Sequence, residues 1–225
     1  MKALVIGSSG GIGYALETRL RVDASFDAVA TLSRSQNGLD LGNEESIADA
    51  ARDSAARHGT FDLIINATGA LVIDDNLPEK SIRALNTDAM MAQFRVNALG
   101  PALLLKHFHT LLPRKGRSVF ASLSARVGSI GDNHLGGWVS YRAAKAAQNQ
   151  IVKTAALEIA RTHPEAIVVA LHPGTVTTRL SQPFSKGYET VTPDHAAMRL
   201  LDVIAKLRPS QSGGFFSYTG APIEW

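Results

Sequence analysis

The stretch KALVIGSSGGIG, residues 2–13, decides the fold. Its first part, Lys2–Ile6, is a short apolar run closed by a glycine, the pattern of a buried strand. Glycines then stand at 7, 11 and 13, a G-x-x-x-G-x-G spacing. Residues 12–20 (IGYALETRL) follow with apolar positions at helical spacing. A strand, a glycine loop and a helix in this order form a phosphate cradle. Glycines permit the tight turn and the close approach of backbone, and the helix N-terminus attracts the anion. Gly7, Ser9, Gly11, Ile12 and Gly13 are therefore candidate contacts for a nucleotide cofactor.

Working outward, strand and helix patterns alternate to the last residues. Strands are predicted at 27–32, 61–66, 117–123, 166–171 and 214–217, with a short one at 39–41. Helices are predicted at 44–57, with Asn43 as N-cap, at 78–112 as two pieces meeting near Asn97–Pro101, at 137–161 and at 193–207. Apolar strands separated by helices imply a parallel sheet covered on both faces. The expectation is one α/β domain over residues 1–225. It is a doubly wound Rossmann fold with a mostly parallel seven-stranded sheet and helices on both faces. One connection is short: only SRSQNG lies between Leu32 and Leu39, too little for a full helix.

The end of the second strand reads the ribose of a dinucleotide. An acid there favours NAD, and an arginine accommodates the 2′-phosphate of NADP. This chain has Ser33 and Arg34, with no acid before Asp40. A guanidinium can pair with the extra phosphate that a carboxylate would repel. NADP is favoured over NAD.

Residues 140–147, SYRAAKAA, are rich in the strongest helix former. Tyr141 and Lys145 are four apart and share a helix face. A phenol with a pKa near 10 is a poor proton donor or acceptor at neutral pH, and an adjacent ammonium favours the phenolate. The pair is a tunable general acid/base. The polar strand end Ser122-Leu-Ser124 precedes it.

Taken together, GSSGGIG at 7–13, NATG at 66–69, the asparagine of RVNALG at 97, SYRAAKAA at 140–147 and HPGTVTT at 172–178 resemble the short-chain dehydrogenase/reductase family. Their order follows the family's, and the similarity spans essentially the whole chain. The stretches SARVGSIGDN and GGWVSYRAAK are similar to the carbonyl-reductase branch that includes sniffer and C-factor-like proteins. The resemblance implies an NADP(H)-dependent oxidoreductase acting on a small carbonyl or alcohol. Tyr141 would protonate the substrate oxygen. Lys145 would bond the nicotinamide ribose and depress the Tyr141 pKa, and Asn97 would hold a water in a proton relay. Asn66, Ala67, Thr68 and Gly69 would line the adenosine side, with Asp40 accepting from the adenine amino group and Leu41 beside it. Pro173, Gly174, Val176 and Thr178 would shape the nicotinamide pocket. The family's serine sits three residues before a glycine, where this chain has Ala125 ahead of Gly128. Ser124 is the expected donor to the substrate carbonyl, with Ser122 on the same strand face as the alternative. Trp138 and Val139 offer an apolar wall, and Phe184 and Tyr188 lie on a segment expected to cover the substrate. The small residues of the 137–161 helix suit a homodimer or homotetramer.

Other classes are disfavoured. The chain has 225 residues, 45% hydrophobic and 19% charged, with a formal charge of +3 and no cysteine. That excludes disulfides and thiolate metal sites. The densest basic group, Arg114, Lys115 and Arg117, is no nucleic-acid module. No histidine pair has a metal-ligand spacing, so no metal is expected. His172 is expected to be structural. No apolar run reaches about 18 residues and no export signal is evident, so a cytoplasmic protein without membrane contact is expected. The competing function is a non-catalytic NADP-binding regulator or redox sensor, for which an intact Tyr141, Lys145 and Asn97 would be unnecessary.

Overall fold

The computed structural model describes residues 1–178, 187 and 189–225. The anticipated covering residues Phe184 and Tyr188 lie outside these. The strands are β1 (Lys2–Ile6), β2 (Ala28–Leu32), β3 (Leu63–Asn66), β4 (Ser118–Leu123), β5 (Ala166–His172) and β6 (Phe215–Ser217). All pair in parallel, in the order β2-β1-β3-β4-β5-β6. The helices are α1 (Gly11–Val22), α2 (Arg34–Asn37), α3 (Glu44–His58), α4 (Thr87–Phe94), α5 (Gly100–Phe108), α6 (Val139–Ile159) and α7 (Pro193–Lys206).

Alternation along the strands sorts the core into two layers. Leu4, Ile6, Ile64, Phe120 and Val168 face a layer completed by Ile47, Leu104, Phe108 and Val152 of α3, α5 and α6. Ala3, Val5, Ile65, Val119 and Val169 face the opposite layer, completed by Leu16, Leu20 and Leu200 of α1 and α7. Both strand faces are buried, as a parallel sheet requires. From β1 the chain turns one way to β2 and the other way to β3. The crevice at their carboxyl ends is where such sheets bind ligands.

Among the described residues the sheet has six strands, and the expected strand at 39–41 is absent. After β2, Ser33 accepts from the Gln36 amide and caps the single turn of α2, which Gly38 closes at φ 70°. Leu39 then turns into the core. The Asp40 amide donates to Ser46 Oγ (3.0 Å), its carbonyl accepts from the Asn43 amide (3.1 Å), and its Oδ1 accepts from the Gly42 amide (2.8 Å). With those groups engaged in a turn, no ladder to β2 can form. β2 is the sheet edge, and its first four residues are only half-buried.

The bend expected near Asn97 is a π-helical segment, Arg95–Leu99, joining α4 to α5. Such widened turns alter the backbone hydrogen bonding of a helix and recur at functional sites. Helix α3 begins where expected, with Asn43 Oδ1 accepting from the Glu45 and Ser46 amides.

Candidate active site

On the glycine-loop side the site is made of backbone. Gly7 sits at φ 92°, and a Cβ there would lie 2.9 Å from the Ala67 carbonyl carbon. A Cβ at Gly13 would lie 2.1 Å from the Gly7 carbonyl oxygen. Both contacts are closer than any side chain tolerates, so α1 is pressed against the end of β1 with its first turn open to the crevice. Ser9 and Gly11 are exposed there. Arg34 projects from the start of α2, exposed, and has no ion pair among the described residues.

The segment after β3 departs from expectation in one respect. The side chain of Asn66 is buried and faces away from the crevice. Its Nδ2 donates to Ser122 Oγ (2.9 Å), and its Oδ1 accepts from the Thr68 amide (3.0 Å) and hydroxyl (2.6 Å). Asn66 thus ties β3 to β4, and the crevice is lined instead by Ala67, Thr68 and Gly69.

Tyr141 and Lys145 project from successive turns of α6, both buried. Trp138 precedes them in a left-handed conformation (φ 51°), and its ring meets that of Tyr141 edge-on at 6.3 Å. Helix α6 has no cap from Trp138. Glu79 serves from outside: its carboxylate accepts from the Ser140 amide (3.3 Å) and hydroxyl, and its carbonyl accepts from the Trp138 amide (2.6 Å). This fixes the turn that carries Tyr141.

The Lys145 ammonium is 5.9 Å from the Tyr141 ring centroid. Burial pushes Tyr141 above the ordinary phenol range and pushes Lys145 down to about 7. The expected depression of the phenol is therefore not produced by the chain's own groups. Desolvation by burial is the cause of both shifts. Tyr141 stays protonated at neutral pH, the form required of a donor.

The two serines part company. Ser124 lines the crevice, buried, with its Oγ donating to Asn149 Oδ1 (2.7 Å). Ser122 is fully buried inside the sheet–helix contact, accepting from Asn66 and from Gln148 Nε2 (2.9 Å). Ala125 and Arg126 also line the crevice. His172 does too. Its Nδ1 accepts from the Arg126 amide (3.3 Å), which places the proton on Nε2. Burial, then the Arg126 charge, push its pKa down to about 4, so it is neutral at physiological pH.

Asn97 is fully buried in the π-helical segment. Its Nδ2 donates to the Ala70 carbonyl (2.7 Å) and to Gln93 Oε1 (2.7 Å), and its Oδ1 accepts from the Ala70 amide (3.0 Å). A Cβ on Gly69 would meet Asn97 Oδ1 at 3.1 Å and Lys145 Nζ at 3.3 Å, so both side chains converge on the same glycine.

One cavity of about 810 Å³ joins the Tyr141–Lys145 pair to the ends of β3, β4 and β5 and to Ile12 in the first turn of α1. It is lined by Ile12, Thr68, Gly69, Ser124, Trp138, Tyr141, Lys145 and His172, together with Pro173, Gly174, Val176 and Thr178. Sequence reasoning missed Glu79, Gln148 and Asn149. The last two follow Lys145 by three and four positions, so helical spacing already placed them on its face.

A family model described as enoyl-(acyl carrier protein) reductase matches residues 19–207. The chain belongs to the short-chain dehydrogenase/reductase family. It is an oxidoreductase of that family, and the sequence resemblance holds. A 1-hydroxy-2-glutathionyl-2-methyl-3-butene dehydrogenase of Rhodococcus sp. (strain AD45) is 29% identical over 233 residues, covering 99% of this chain and 98% of the relative. Among solved structures, an NADPH-bound carbonyl reductase from chicken fatty liver is 25% identical with a TM-score of 0.83, covering 100% and 98% of the two chains. The carbonyl reductase Sniffer of D. melanogaster shares the fold at 23% identity and a TM-score of 0.84, covering 100% and 99%.

Proposed function

We propose that this chain reduces a carbonyl substrate with NADPH, Tyr141 donating the proton to the substrate oxygen. The observation that carries this is a cavity lined by the buried Tyr141 and Lys145 together with Ser124 and with Ile12, which lies in the first turn of α1 just after the glycine loop. The residues present fit the cofactor. Gly7, Ser9, Gly11, Ile12 and Gly13 leave backbone open to a pyrophosphate, and the exposed Arg34, next to Ser33, suits a 2′-phosphate. Asp40 and Leu41 would flank the adenine, and the segment from Asn66 to Gly69 the adenosine. Pro173, Gly174, Val176 and Thr178, which line the cavity, would hold the nicotinamide end. When bound, NADPH supplies the hydride.

The chain supplies orientation and the proton. Tyr141, kept protonated by burial, donates Oη–H to the oxygen as negative charge develops there. Ser124 transfers its O–H from Asn149 to the same oxygen, exchanging one hydrogen bond for another. Lys145 holds its ammonium 5.9 Å from the centre of the Tyr141 ring and would bond the nicotinamide ribose. Asn97, converging with Lys145 on Gly69, supports a water through which Tyr141 is reprotonated.

The substrate is a small carbonyl compound, and the protein works in the cytoplasm. A homodimer or homotetramer is supported by exposed Met91, Leu99 and Leu157 around α4, the π-helical segment and α6. Light scattering at micromolar concentration tests it, a monomer counting against it. The function is tested by following NADPH absorbance across a panel of aldehydes, ketones and quinones. Turnover of at least one class is expected. Tight NADPH binding without turnover on a broad panel would contradict the proposal.

A further inference from the structure

The Lys145 ammonium has two acceptors, the Leu123 carbonyl at 3.3 Å and Gln148 Oε1 at 2.8 Å. Gln148 is fully buried, one helical turn after Lys145 on α6. Its Nε2 donates to Ser122 Oγ (2.9 Å) and to the Leu123 carbonyl (3.1 Å). A carbonyl oxygen only accepts, so the amide nitrogen must face Leu123 and the amide oxygen must face the ammonium. The reverse orientation would set NH₂ against NH₃⁺ and oxygen against oxygen. Ser122 Oγ also accepts from Asn66 Nδ2 (2.9 Å), whose Oδ1 is held by Thr68. A continuous set of hydrogen bonds, buried from Asn66 onward, therefore runs from Thr68, on the crevice wall, through Asn66, Ser122 and Gln148 to Lys145.

We infer that Gln148 is a positioning residue, which aims the Lys145 ammonium and favours its charged form by linking it to the strand ends that line the cofactor crevice. The inference rests on the Tyr141–Lys145 site proposed above. Its physical basis is simple. A buried ammonium needs acceptors, and losing one makes the charged form harder to keep. The groups facing Lys145 are Tyr141 on α6, the Leu123 carbonyl at the end of β4, Asn97 of the π-helical segment and Gly69 after β3. Of these only Tyr141 titrates. Glu79 is engaged with Ser140, and the Arg126 side chain is directed to Asp132 (3.4 Å).

The test is the pH profile of kcat/KM for carbonyl reduction in Gln148→Met and Gln148→Glu, with NADPH affinity and Tm measured alongside. Methionine keeps the shape and removes the acceptor. The alkaline limb should move down by about one pH unit and kcat at pH 7.5 should fall about tenfold, while NADPH affinity changes less than about threefold. Glutamate keeps an acceptor and adds charge, so its limb should move up. Profiles that superimpose on the parent in both variants, whatever the Tm, would overturn the inference. If Gln148→Met does not fold, Ser122→Ala takes its place. It removes one anchor of Gln148 without touching Lys145, and its limb should move in the direction opposite to that of Gln148→Glu. An unmoved limb, or two shifts of the same sign, overturns the inference. Tyr141→Phe serves as control. If it retains turnover, the site itself is misread and the inference falls with it. If it is inactive while the Gln148 profiles stay put, the inference alone falls.

Discussion

The two ends of the crevice are built from different materials. At the β1–α1 end, backbone makes the surface, packed so closely that an added Cβ would lie 2.9 Å from Ala67 at Gly7 and 2.1 Å from the Gly7 carbonyl at Gly13. At the β4–α6 end, side chains make it: Ser124, Tyr141 and Lys145 line the crevice, and the buried Ser122, Gln148 and Asn149 behind them hold Lys145 and Ser124 in hydrogen bonds. A phosphate asks for N–H groups at close range, which every residue carries once side chains are out of the way. A proton transfer asks for particular groups at particular protonation states, which only packed and hydrogen-bonded side chains hold.

That difference can be broken from either side. Gly13→Ala attacks the backbone end. With a Cβ forced against the Gly7 carbonyl, the β1–α1 contact must open, and we expect loss of NADPH binding together with a Tm drop of about ten degrees or more. Ser124→Ala attacks only the other end. It should lower kcat by about 10²–10³, the effect of removing one donor to a developing oxyanion, and leave NADPH affinity within about threefold. Placing a hydroxyl at the neighbouring wall position, Ala125→Ser in the Ser124→Ala background, should restore part of that loss in the same assay.

Lys145→Met sharpens the contrast through stability. The Lys145 pKa falls from 10.5 in the unfolded chain to about 7 in the fold. Between these values the unfolded chain binds more protons, so the parent's stability rises with pH through this window. Below about pH 7 the fold carries the whole cost of a buried charge. The methionine variant should therefore melt above the parent at pH 6, by an amount on the order of a few kcal/mol, with the gap closing towards pH 10.5. Thermal melts of both proteins across this range check the sign. The smallest effect is expected at Arg34. Arg34→Ala should weaken NADPH about 10- to 50-fold, the range of a charge-assisted hydrogen bond, and leave NADH unchanged, as read by fluorescence titration.

The same division explains what was legible in the sequence. The doubly buried strands follow from local pattern, so the sheet and its helices were readable, and the glycine spacing at 7, 11 and 13 marked the tight β1–α1 turn. The exception was 39–41, where LDL looked like a strand. Its backbone is held in a turn by Ser46, Asn43 and the Asp40 side chain, contacts that a short apolar run does not reveal. At the chemical end the residue types were readable and their partners were not. Asn66 stood in a cofactor motif, yet its side chain stitches β3 to β4. Gln148 and Asn149 were hidden behind the alanine run, although their spacing from Lys145 gave the face. The direction of the Tyr141 shift depended on how deeply the pair is buried, which only packing decides.

The most direct measurement is single-turnover reduction by Tyr141→Phe beside the parent, with NADPH affinity determined on the same preparations. The phenyl ring keeps the packing against Trp138 and removes only the proton donor. The predicted result is a rate lower by about 10²–10⁴ with NADPH bound as tightly as by the parent. A variant that reduces the same substrate at the parental rate would contradict the assignment of Tyr141 as the proton donor.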